Sequence, residues 1–101
     1  MDADTFMWIH ALKAMTGALA ATVIDLTPEA SAQALALGER GLPRTRDVRL
    51  RRVPGAGDPV FDVTYADGAR ELTLRETVRE VNGEWKIARI EPARRGSSAA
   101  T

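Results

Sequence analysis

Asp67-Gly68 and Asn82-Gly83 constrain the fold of this chain more than any other feature. Each is a two-residue hairpin signal, because both central positions of the favoured turn need positive φ, which Asp, Asn and Gly tolerate. The residues between them alternate, so 69–82 reads as one strand shared by two hairpins, and an antiparallel meander follows. The same period of two predicts strands over 44–53, 59–66 and 84–91, with Pro54 to Pro59 as a longer Pro/Gly loop.

Two-residue turns also set register. Asp67-Gly68 places Val63 opposite Leu72 and Phe61 opposite Leu74. Asn82-Gly83 places Val78 opposite Ile87, Glu80 opposite Trp85 and Glu76 opposite Arg89. The simplest closure of the Pro/Gly loop sets Leu50 against Val63 and Val48 against Tyr65. One face then collects Val48, Leu50, Phe61, Val63, Tyr65, Leu72, Leu74, Val78, Trp85 and Ile87, and this is the expected core face. The opposite face carries Arg49, Arg51, Asp62, Thr64, Glu71, Thr73, Arg75, Thr77, Arg79 and Lys86, with Val60, Ala88 and Ile90 among them, and is expected to be polar.

Before Pro43 the period is helical. From Asp4 to Ile24 the large apolar residues Trp8, Leu12, Met15, Leu19, Val23 and Leu26 recur every three or four positions, with Asp2 or Asp4 as the N-cap. A second stripe of Ala11, Ala14, Ala18 and Ala21 permits close packing of another backbone, leaving His10, Lys13 and Thr16 as a narrow polar strip. Thr27-Pro28-Glu29 starts a second helix: Thr27 caps it, Pro28 needs no N–H at that position, and Glu29 suits the positive end of the dipole. Gly38, Gly41 and Pro43 stop it. The fold class expected is therefore α+β, with N-terminal helices packed on one face of a curved four-stranded antiparallel meander.

At 101 residues the chain has room for one domain, taken as 1–92, followed by a disordered tail at 93–101. Aromatic residues are 5% of the whole, so the core must rest on Leu, Val, Ile and Ala and will be modest. Formal charge is zero, against the strong basic surface that phosphate contacts demand, so nucleic acid is not an expected partner. The absence of cysteine removes disulfides, thiolate metal sites and thiol nucleophiles. The uncharged run Ala14 to Ile24 is about half the ~20 residues a spanning helix needs. The acidic start, with no base before Lys13, is unlike a secretory signal, and the expected location is cytoplasmic.

Three charged residues fall on the core face: Arg52, Glu76 and Arg89. Glu76 stands between Leu74 and Val78, so it must be paired, rotated outward by a bulge, or set at the mouth of a cavity. An ion pair with Arg89 is the bland account. The functional account is a pocket between sheet and helices, with Glu76 as general base or anchor, Arg89 tuning its charge and Tyr65 offering a hydroxyl. Such a pocket would be lined by Arg52, Phe61, Tyr65, Leu74, Glu76, Trp85 and Arg89 and would take a small apolar ligand. His10, the single histidine, reads as a solvated surface residue, and no metal site or cofactor is expected. The arginines at 44, 46, 49, 51 and 52 alternate between faces and so make no phosphate patch; cross-strand pairing with Asp62 or Glu71 explains them.

The order of helices then meander, closed by Val81-Asn82-Gly83-Glu84-Trp85-Lys86-Ile87, resembles the nuclear transport factor 2-like or cystatin-like group, mainly through its Gly-x-Trp-Lys-Ile ending. The resemblance implies a curved sheet wrapped on helices, a homodimer built on the sheet, and an interior pocket. Some members use that pocket for isomerase, cyclase or hydrolase chemistry, and many only bind or scaffold. Two functions are expected to compete. One is a non-catalytic binding or assembly module, self-associating through the outer sheet face around Val60, Thr73, Thr77, Ala88 and Ile90. The other is a small-molecule enzyme working through Glu76.

Overall fold

The computed structural model describes residues 1–17, 19–38, 45–68 and 70–93. Three helices, α1 (Ala3–Met15), α2 (Leu19–Val23) and α3 (Pro28–Gly38), precede four strands: β1 (Asp47–Val53), β2 (Val60–Asp67), β3 (Arg70–Val81) and β4 (Glu84–Pro92). The strands form one open antiparallel sheet in the order β1-β2-β3-β4, with α1 against β1 and α3 against β4. This is the expected α+β meander. Ala18 of the small-residue stripe, the Gly41 and Pro43 stop, Arg44, and the tail beyond Ala93 lie outside the described residues. Ala93 itself continues the ladder, its N–H donating to the Thr73 carbonyl at 3.0 Å. Among the described residues no helix is long and apolar enough to cross a membrane.

The single helix expected from Asp4 to Ile24 is two. Gly17 adopts φ 76°, and its N–H turns back to the Ala14 carbonyl at 3.2 Å, the left-handed cap that glycine accepts without a Cβ penalty. Asp2 caps the start of α1, its Oδ1 accepting from the Thr5 N–H at 2.8 Å. Thr27 caps α3 as expected, its Oγ1 accepting from the Ala30 N–H at 3.2 Å.

Helix α1 turns its other side to the core. Ala3, Phe6, Met7, His10 and Ala11 are buried, whereas Trp8 and Leu12 of the large stripe are exposed. Small residues decide this: Ala3, Ala11 and the partly buried Ala14 let the helix backbone approach the sheet, and Phe6 and Met7 fill the space between. Below them lie Val48, Phe61, Val63, Leu74, Val78 and Ile87, flanked by the half-buried Leu50, Tyr65, Leu72 and Trp85. The expected core face of the sheet is therefore the observed one.

Two registers moved. In the first hairpin Asp67 pairs with Arg70, which puts Gly68, at φ 60°, first after the ladder and sets Val63 against Leu74 and Phe61 against Glu76. That is a slip of two residues from the expected pairing, and an even slip leaves every side chain on its face. Across the Pro/Gly loop the expected register holds: Leu50 faces Val63 and Val48 faces Tyr65. In the second hairpin Val78 faces Ile87 as expected, but a β-bulge follows, and the next pair is Thr77 with Arg89. One extra residue on β4 reverses the facing of everything beyond it. Ile90 turns into the core, Ala88 is buried at the bulge, and Arg89 turns out to bond Glu91.

Candidate functional site

Glu76 sits mid-strand in β3, in a row that crosses the sheet as Arg52, Phe61, Glu76 and Ile90. Leu74 and Val78 flank it along the strand, and its residue exposure is 1%. The carboxyl is thus walled by four apolar side chains. Burial is the largest influence on it and raises its pKa, opposed in part by the charge of His10 and a hydrogen bond from Tyr65.

The hydroxyl of Tyr65 donates to Glu76 Oε2 at 2.5 Å. Burial and then the adjacent carboxylate push that phenol well above its ordinary value, so it stays a donor. The second carboxyl oxygen, Oε1, is buried with no hydrogen-bond partner. His10 Nε2, brought down from α1, lies 3.9 Å from it, beyond direct hydrogen bonding.

The far side of the imidazole is held by Asp25. Its Oδ2 lies 2.9 Å from His10 Nδ1, and Lys13 Nζ reaches both Asp25 oxygens at 3.0 and 3.1 Å. Burial of Asp25 favours the acid, but the hydrogen bonds from His10 and Lys13 outweigh it and the pKa is lowered. An ionised Asp25 only accepts, so Nδ1 carries the proton and points it at Asp25. In the neutral ring Nε2 is then the bare lone pair, aimed toward Glu76.

Asp25 is placed by backbone bonds along the free edge of β4. The Ile87 N–H donates to the Asp25 carbonyl at 2.8 Å, and the Thr27 N–H donates to the Ile87 carbonyl at 3.0 Å, making a short parallel bridge at Leu26. Lys86 Nζ adds a bond to the Ile24 carbonyl at 2.6 Å. This cover also hides an edge that would otherwise pair with another chain. The resulting line is Lys13, Asp25, His10, Glu76, Tyr65, drawn from α1, the segment before α3, β3 and β2. Asp25 and Glu76 lie on opposite nitrogens of the ring, and among the described residues no three His, Asp or Glu side chains converge to hold a metal.

Several expected site residues stand elsewhere. Arg89 does not meet Glu76, because the bulge carries it outward. Arg52 is on the core side but at its rim, 3.0 Å from Asp4 and with its guanidinium 5.5 Å from the Phe61 ring centre. Trp85 donates its indole N–H to the Met1 carbonyl at 2.9 Å, tying down the start of α1. Phe61 and Leu74 are walls of the Glu76 cage. His10 is not a surface residue: its exposure is 5%. It faces inward because it shares the small-residue side of α1 with Ala3 and Ala14, a signal present in the sequence but outranked by the larger stripe. Asp25 and Lys13 carried no local signal, since only the fold of the segment onto β4 brings them to His10.

On the outer face, Val60, Thr73 and Thr77 are half-buried, but Ala88 and Ile90 have left it for the interior. What remains is a lattice of pairs: Arg49 with Glu71, Arg51 and Arg75 with Asp62 at 3.2 and 2.9 Å, and Thr64 with Thr73 at 2.9 Å. An open groove of about 380 Å³ runs between Arg49, Thr64, Glu71 and Thr73, whose polar groups already satisfy one another. In comparisons with known proteins, no family model, curated protein or solved structure matches this chain.

Proposed function

We propose that this chain is a small-molecule-binding domain of nuclear transport factor 2-like type, whose ligand is a neutral, oxygen-bearing molecule held between Glu76 and His10. The carrying observation is Glu76 Oε1: a buried carboxyl oxygen without a partner, 3.9 Å from an imidazole nitrogen. An unmade hydrogen bond at such a site costs about 1–3 kcal/mol, which a ligand group recovers on binding. A ligand oxygen at roughly 2.8 Å from both atoms would stand at the apex of a bent bridge between them. The helices-then-meander order and the Trp85-Lys86-Ile87 ending support the type.

A protonated Glu76 beside a neutral His10 would select a hydroxyl-bearing ligand, which both donates and accepts hydrogen bonds. With Glu76 protonated, Oε1–H donates to the ligand oxygen, while His10 Nε2 accepts from a ligand O–H; Tyr65 fixes the other oxygen and Asp25 fixes the ring. Charged ligands are disfavoured, because the apolar walls of Phe61, Leu74, Val78 and Ile90 offer no counter-ion. The same acid and base within one ligand's reach are the parts of a proton-transfer site, so binding comes first and catalysis is an elaboration of it.

The test is NMR of the His10 imidazole nitrogens and the Glu76 carboxyl carbon during titration with neutral hydroxyl- and carbonyl-bearing fragments at millimolar concentration. Fragments that move both signals in the native chain, and neither His10 nitrogen in Glu76→Leu, support the site. If no fragment moves either signal, the cluster is an internal ion network and the binding reading is wrong.

A further inference from the structure

Of the periodic stripe of large residues on α1, Met15 packs against the core while Trp8 and Leu12 are exposed. Trp8 is 52% exposed, Leu12 53% and Ile9 38%, within one quadrant of a helix whose opposite side is sunk in the protein. Val23 at 54% and Ile24 at 64% are also exposed, in the segment whose Asp25 is tied to His10 and Lys13 of α1. Trp8, Ile9 and Leu12 together expose roughly 300 Å², the size of a patch that marks an interaction surface. This is under half of the ~800 Å² that each partner contributes to a standard interface, so the contact is a weak one.

We infer that this face docks a second copy of the chain, helix against helix, around a two-fold axis. Three features select that partner. No charged residue lies among Trp8, Ile9 and Leu12, and the flanking Asp4 and Lys13 are already paired with Arg52 and Asp25, so the patch offers little for a charged partner to read and suits an uncharged copy of itself. The formal net charge of zero leaves no repulsion between copies. The acidic Asp2 and Asp4 at the head of α1 oppose an anionic lipid surface, the other natural cover for a Trp-bearing amphipathic helix. The sheet face, by contrast, has lost Ile90 and Ala88 to the interior and is laced with ion pairs, so assembly belongs on the helical side.

Trp8 packs across the axis in this arrangement, with Leu12 one turn on and Ile9 at the side. The aromatic anchor near the centre is the expected hot spot. Each exposed position tolerates a polar replacement without loss of the fold, because none of these side chains fills the core.

Sedimentation velocity of the full chain from micromolar to several hundred micromolar tests the inference. The expected mass is about twice 10.9 kDa at the upper concentrations, falling to 10.9 kDa with Trp8→Glu or Leu12→Glu, each weakening association at least tenfold. Thr73→Arg, on the sheet face, leaves the dimer intact. A native chain that stays at 10.9 kDa throughout overturns the inference. So does a dimer that survives both helix variants and is broken by Thr73→Arg. Flotation of a monomeric chain with phosphatidylglycerol vesicles, lost in Leu12→Glu, also overturns it by assigning the face to lipid.

Discussion

Replacing Glu76 by Gln keeps the shape of the buried side chain and removes its titration. In the native protein, burial among Phe61, Leu74, Val78 and Ile90 raises the carboxyl pKa above its ordinary value of 4.5. A group whose folded pKa is raised stabilises the fold fully below the unfolded pKa and loses that contribution as pH rises through the folded pKa. Native stability from this group therefore falls from about pH 4.5 upward and levels off once the folded pKa is passed. Within that window the unfolded chain has released one proton that the folded chain still holds, a slope of about 1.4 kcal/mol per pH unit. For a domain near 100 residues this is roughly 5–10 °C in Tm per pH unit. Glu76→Gln lacks the slope, so its Tm gains on the native protein by that amount as pH rises, and contributions such as those of Asp25 and Asp62 cancel in the difference. Thermal unfolding at half-unit steps from pH 4 to 8, read by far-ultraviolet circular dichroism, measures it. Tyr65→Phe in the same series removes a hydrogen bond that lowers the Glu76 pKa, and the decline should extend to higher pH. Native and Gln curves running parallel over the whole range would show a carboxyl as well solvated folded as unfolded, and would refute the apolar-cage argument.

Two further outcomes follow from the bulge and from the histidine's second partner. Ile90→Ala should cost about 2–4 kcal/mol in urea unfolding, as a core truncation, while Arg89→Ala stays within about 0.5 kcal/mol; the reverse order would mean the bulge is absent and the two residues exchange faces. The lowered pKa of Asp25 is a depressed-carboxylate case, with stability present above its unfolded value of 3.8 and lost as pH falls through the folded pKa. Asp25→Asn should therefore destabilise the protein at neutral pH by about 1–3 kcal/mol and flatten its acid-unfolding limb, and an unchanged acid limb would show that His10 and Lys13 do not hold the carboxylate.

The sequence by itself determined the meander, the inward face of the sheet and the N-cap of α3. These rest on local rules: positive φ at Gly68, Asn82 and Gly83, a side-chain period of two, and Thr27-Pro28 at a helix start. Even the mistaken first hairpin kept its faces, because its slip was even. The sequence also singled out Glu76 as the place where a polar group must enter the core, but gave it Arg89 as partner where the structure has Tyr65. Tertiary structure decided everything that depended on an odd shift or on distance along the chain. A single extra residue near Ala88 exchanged Arg89 for Ile90, removing the expected partner of Glu76 and the apolar part of the expected sheet interface. Which side of α1 is buried was a contest between large residues and close approach, and the small side won, drawing His10 inward and leaving Trp8 and Leu12 outside. Asp25 reached His10 only because its segment pairs with Ile87, 62 residues later in the chain from Asp25, through backbone hydrogen bonds that carry no side-chain signature. Periodicity reports that a helix has faces, and only packing against the rest of the chain chooses between them.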